Sequence, residues 1–149
     1  MLRYAPAMAR IPHAILQHFA NVPLFSRVSK RGLRLVVSEA DELDVPAGRD
    51  LVREGEYGRH LFVIVSGTAR VHRKAHRIAR LGAGDFFGEM ALLSRAQRMA
   101  TVTSETDMRV MILGARELAV ILRKEPTISS AVMSAMADRI TQNEKAGIV

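Results

Sequence analysis

Seven glycines between residues 42 and 113 constrain this chain more than any other feature. Gly48, Gly55, Gly58, Gly67, Gly82, Gly84 and Gly88 separate short β-branched and apolar runs: 61–65, 69–71, 101–103 and 108–113. Many short strands with a glycine at every turn describe a sandwich or barrel, in which closure protects the strand edges.

Helical spacing flanks that region on both sides. Ile11, Ala14, Ile15, His18 and Phe19 recur at intervals of three and four, with Pro12 where a first helical turn tolerates it. Pro23 ends this segment, and Ser29 is placed to cap a second helix through Leu33, Val36, Val37 and Ala40. Beyond Ala115, Leu118, Ile121 and Leu122 form a short helix that stops before Pro126. Thr127 then serves as the expected cap of a longer helix. Ile128, Ala131, Val132, Ala135, Met136 and Ile140 share one face of it, and Met133 with Met136 reads as core packing. The 149 residues fit one domain: helices over about 10–41, a β region over 42–113 and helices over 115–145.

Charge narrows the range of partners. Twenty-two lysines and arginines against 15 acids leave +7, a surplus that invites anions. The densest cluster is Arg70, Arg73, Lys74, Arg77 and Arg80, without an acid among them. It contains no aromatic residue for base stacking, so an exposed hairpin with like charges guarding its edge is the better explanation. DNA is disfavoured as a partner for the same reason, and because no helix-turn-helix follows the terminal helix. His72 and His76 lie four apart, but on strand, turn and strand rather than on one helical face, so no metal site is expected. The absence of cysteine excludes thiolate sites. No apolar run reaches the ~18–20 residues of a membrane span, and the expected location is the cytoplasm.

Several enzyme signatures fail. In Gly82-Ala83-Gly84-Asp85-Phe86-Phe87-Gly88 the third glycine of a dinucleotide fingerprint would fall on Phe87. No Gly-Lys-Ser/Thr triplet and no Gly-x-Ser-x-Gly elbow occurs. Catalysis is not expected, and no cofactor is implied.

The informative segment runs from Phe87 to Val102. Gly88 lets backbone approach a ligand closely. The N–H groups of Glu89, Met90 and Ala91 then form an anion-binding helix start. Arg98 is placed to close on the same anion with its planar fork. Glu89 does not suit a phosphate but does suit hydroxyls beside one. A sugar phosphate meets both demands.

Phe87-Gly88-Glu89-Met90-Ala91-Leu92-Leu93 followed by Arg98 resembles the phosphate-binding cassette of the cyclic-nucleotide-binding domain family. Val22-Pro23-Leu24-Phe25, Gly48, Arg53-Glu54-Gly55-Glu56 and Phe62-Val63-Ile64-Val65-Ser66-Gly67 extend the resemblance over about residues 15–143. It implies an α+β fold: an eight-stranded antiparallel, jelly-roll-like β-roll with N-terminal helices and two C-terminal helices, the last a lid. It implies that Arg98 holds the cyclic phosphate with the backbone of Gly88, Ala91 and Ala100. Glu89 would take the ribose 2′-hydroxyl, and Arg139 on the final helix is the candidate for capping the base.

Two positions depart from the family pattern. Gln97 stands where proline is common, which is expected to loosen the loop. Met99 stands where threonine or serine often helps bind guanine, so cAMP is the favoured ligand and cGMP the other candidate. The expected function is a regulatory sensor that reports occupancy through its terminal helix to a protein effector or a domain of the same chain. The alternatives are a ligand-free interaction module on the same fold, or the sensor part of a larger transcription regulator or channel. The intact pair of Glu89 and Arg98 argues against a lost ligand.

Overall fold

The apolar runs at residues 61–65 and 110–113 lack polar alternates because both faces of their sheet are covered. A computed structural model describes the backbone of residues 11–145 and, apart from Ala96 and residues 139–145, their side chains. One four-stranded antiparallel sheet has the order β1 (Asp41–Val45), β10 (Met108–Gly114), β4 (His60–Ser66), β7 (Phe86–Phe87). Another has the order β2 (Asp50–Val52), β9 (Thr101–Ser104), β5 (Ala69–Arg73), β6 (His76–Leu81). These eight strands are the expected roll. A two-residue ribbon, β3 (Tyr57–Gly58) with β8 (Ala96–Gln97), is added to it.

Alternation along β4 sorts its residues into two cores. Leu61 and Val63 pack with the helices, beside Met111 and Leu113 of β10. Phe62 and Ile64 turn inward with Val102, Met108 and Val110 to fill the roll. Among the described residues, the core beneath the helices includes no residue of the β2–β9–β5–β6 sheet, and β6 is exposed along nearly its whole length.

The helical cover forms from both ends of the chain. It comprises α1 (His13–Ala20), a 3-10 turn (Pro23–Phe25), α2 (Lys30–Ser38), α3 (Ala115–Lys124) and α4 (Pro126–Lys145). Ser29 caps α2 as expected, its Oγ accepting from Gly32 N at 3.0 Å. Phe19, Val22, Leu24 and Phe25 are buried where the first turns meet Leu118, Ile121, Ile128 and Val132.

Two expectations for α4 need correction. Thr127 is not its cap, because the helix already begins at Pro126, whose missing N–H costs nothing in a first turn. Met133 is 70% exposed, whereas Met136 packs against the core, so the two methionines do not form one stripe. Ile128, Val132 and Ala135 carry the buried face as expected. The side chain of Ile140 lies outside the described residues.

The basic segment is the expected hairpin. Arg73 pairs with His76, leaving Lys74 and Ala75 as a two-residue loop with φ of 49° and 68°. Both central residues of a type I′ turn need positive φ, and side-chain residues resist it by roughly 1–2 kcal/mol each. Replacing Lys74-Ala75 with Asn-Gly should therefore stabilise the fold by about 1 kcal/mol, part of the gain being offset by glycine's larger unfolded-state entropy. A thermal melt should rise by roughly 2–4 °C. An unchanged or lower midpoint would contradict the strained turn.

Candidate functional site

Strand β7 ends at Phe87, and the chain must then turn away from the roll in a single residue. Gly88 does this with φ of 84° and ψ of 13°, leading into a 3-10 turn at Glu89–Leu92. A Cβ on Gly88 would collide with the His60 carbonyl oxygen and stand 2.6 Å from Arg98 Nη1. Glycine is thus required twice there, by conformation and by space.

Arg98 reaches the same place from the other side. Ribbon β3–β8 delivers it: its N–H donates to Glu56 O at 2.8 Å, and its carbonyl accepts from Gly55 N at 2.9 Å. Its Nη2 donates to His60 O at 3.1 Å. Burial lowers the pKa of this guanidinium below its ordinary value, since removal from water disfavours the charged form. An anion beside it would offset that cost.

The two segments meet over a cavity of about 410 Å3, within the range of small-ligand sites. Its lining includes Gly88, Glu89, Met90, Ala91, Arg98 and Met99, with Ala100 beside them. Val52, Val71 and Val102 supply apolar wall from the β2–β9–β5–β6 sheet. Phe87, also in the lining, is held by a parallel stack on Phe62 with centroids 4.8 Å apart. Glu89 is 5% exposed, an unusual position for a carboxylate.

Seven of the eight residues expected at the site therefore surround one cavity. Arg139 falls on α4, but its side chain lies outside the described residues. Some details differ from expectation. The Ala91 N–H already donates to Gly88 O at 3.1 Å, which closes the 3-10 turn. Gln97 pairs with Tyr57 in the ribbon. Met99 lines the cavity yet is 73% exposed, and its carbonyl accepts from Arg73 Nε at 2.9 Å. His60 was not anticipated, for it acts through its carbonyl and leaves no side-chain signature.

Another cavity, about 310 Å3, lies between α1 and the sheet of β1, β10, β4 and β7, against Ile15, Val37, Val65 and Met111. The arginine in its lining, Arg109, already donates to Asp44 at 3.0 Å. It lacks the close-approach glycine and buried carboxylate of the Gly88 cavity. Among the described residues no group of three potential metal ligands occurs, and no helix is long and apolar enough to cross a membrane.

The fold and the Gly88 cavity define a helix-flanked β-roll domain with a glycine-started turn and an arginine facing one pocket. The family model for the cyclic nucleotide-binding domain matches residues 42–125, and the chain belongs to that family. It is 36% identical to a cyclic nucleotide-gated potassium channel of Rhizobium etli, over 83% of this chain and 34% of that protein. To the cyclic AMP receptor protein of Thermus thermophilus it is 26% identical, over 80% of this chain and 58% of that protein. Among solved structures, the N-terminal domain of a transcriptional regulator from Streptomyces coelicolor A3(2) superposes with a TM-score of 0.81. That match has 25% identity and covers 90% of this chain and 96% of the other. The chain spans about a third of the length of the first curated relatives it matches.

The two demands on Gly88 can be separated by substitution. Gly48 has almost the same φ, 85°, but open space around its Cβ position. Gly48→Ala should cost about 1 kcal/mol, the conformational penalty alone. Gly88→Ala adds a collision with backbone and should cost about 2 kcal/mol or more. Equal losses in chemical denaturation would show that the approach of Gly88 to His60 is not tight.

Proposed function

We propose that this chain is a cyclic-nucleotide-binding regulatory module whose preferred ligand is cAMP. One observation carries the reading: Gly88, buried Glu89 and partly buried Arg98 converge on one cavity from two separate segments. In this reading the Arg98 guanidinium pairs with the cyclic phosphate, where low dielectric strengthens a charge-assisted bond. Backbone at Gly88 and Ala100 approaches the same group without side chains in the way. Glu89 accepts from the ribose 2′-hydroxyl, a role for a carboxylate held within the pocket wall. The names of the relatives, which include channels and cAMP-responsive regulators, support this class of ligand.

Occupancy is reported through α4. This helix packs on the Pro23–Phe25 turn and on α3, and Arg27 Nε donates to Asp138 at 2.8 Å, tying the helix to the N-terminal segment. A nucleotide that contacts α4 better in a different arrangement would shift its population. Arg139 is proposed as the base-capping residue. The module does no catalysis, and its output passes to a protein effector or a parent-chain domain in the cytoplasm.

Calorimetry with purified protein should detect cAMP binding in the presence of EDTA, because arginine and amides, not a metal, face the phosphate. Loss of binding on chelation would overturn that arrangement. Arg98→Ala should weaken binding by about thirtyfold to several thousandfold, the ~2–5 kcal/mol of a truncated buried charge pair. Arg95→Ala, exposed in the intervening loop, should bind as the unaltered protein does. Equal losses in both variants would place the phosphate elsewhere.

Selectivity gives a further test. Met99→Thr restores a hydroxyl beside the base and should narrow the preference for cAMP over cGMP by about 1 kcal/mol, roughly fivefold. Equal affinities in the unaltered protein would show that Met99 does not set the preference.

A further inference from the structure

We propose that Gly58 is a positioning residue for the phosphate-binding arginine. Its missing side chain forms one wall of a slot that holds the Arg98 guanidinium against Gly88 and the His60 carbonyl. The proposal rests on the reading of Arg98 given above, and extends it to a residue that touches no ligand.

The glycines of the roll have different causes. Gly48 and Gly55 have φ of 85° and 84°, and a Cβ on either would meet nothing within 4 Å. They are glycines because the backbone turns left-handed there. Gly58 is the opposite case. Its φ lies outside the left-handed range, and it pairs with Ala96 in ribbon β3–β8. A strand position of this kind accepts any side chain and is weakened by glycine. The backbone therefore supplies no reason for its presence.

Arg98 supplies one. The three heavy atoms nearest to a Cβ on Gly58 would all belong to that guanidinium: Nη2, Nε at 2.5 Å and Cζ at 2.7 Å. Gly88 borders the same group at Nη1, and Nη2 donates to His60 O. Two glycines and one carbonyl thus define where the fork sits. The guanidinium is the mobile end of a long side chain, whereas both glycines are fixed by ribbon and turn. A methyl group at position 58 would therefore displace Arg98 and leave the backbone where it is. Bidentate recognition of a phosphate depends on the plane and direction of the fork, so a displacement of about 1 Å is costly to binding.

The test uses the full chain in four forms: unaltered, Gly58→Ala, Arg98→Ala and the double variant. Each is followed by thermal melt, by cAMP calorimetry and by the NMR resonance of the Arg98 side-chain Nε–H. That resonance is assigned by its disappearance in Arg98→Ala. Gly58→Ala should melt cooperatively, shift the Nε–H resonance without ligand, and bind cAMP at least tenfold more weakly than the unaltered protein. In the Arg98→Ala background the same substitution should leave the melt unchanged or raise it, since the slot is then empty of side chain. Binding within twofold of the unaltered protein, or an unmoved Nε–H resonance, overturns the positioning role. If Gly58→Ala fails to fold, the double variant decides. Recovery of folding there confirms that Arg98 creates the need for glycine, and failure there refutes it. Absence of cAMP binding by the unaltered protein would instead refute the functional reading, while the resonance and the melts still judge the slot.

Discussion

Strand β4 is covered on both faces, and that constraint organises the molecule. Leu61 and Val63 lock it to the helices, while Phe62 and Ile64 lock it to the interior of the roll. A strand fixed from both sides leaves the carbonyl at its first residue, His60, with little freedom. Gly88 closes on that carbonyl, and Arg98 donates to it. The pocket is thus built outward from a backbone atom whose position two hydrophobic cores determine. Phe87 repeats the arrangement, since its stack on Phe62 ties the residue before Gly88 to the same strand.

The helical layer shares that strand. Helices from both ends of the chain meet over Leu61, Val63, Met111 and Leu113, so the sheet bearing the pocket is also the floor on which they rest. The α4 helix adds a polar tie, Arg27 to Asp138, with side chains 53% and 50% exposed. An exposed ion pair of this kind is worth about 0–1 kcal/mol. It marks a preferred position for α4 without fixing it, which suits an element proposed to move with occupancy.

Legibility in the sequence followed the range over which each signal acts. Gly88, Glu89 and Arg98 lie within eleven residues, and each has a side-chain type whose chemistry is distinctive, so the pocket was readable before the fold. Long apolar strands such as β4 and β10 were also readable. Asp41–Val45, with three acids among its five residues, and the two-residue strands β3, β7 and β8 carry no period long enough to detect. The α4 helix starts two residues before the Thr127 cap implies, because threonine and proline both mark a helix N-terminus. His60 and Gly58 escaped for deeper reasons. His60 acts through its carbonyl, which every residue possesses. Gly58 is indistinguishable from a turn glycine until the fold lays Arg98, forty residues on, against it.

Amide chemical shifts read residue by residue whether phosphate binds between Gly88 and Arg98, as proposed. On titration with cAMP, the largest changes in a 1H–15N spectrum should fall on residues 88–91 and 98–100, with smaller ones in β4 and α4. Changes centred instead on Ile15, Val37 and Met111 would move the site to the cavity under α1. No changes at saturating nucleotide would contradict the account.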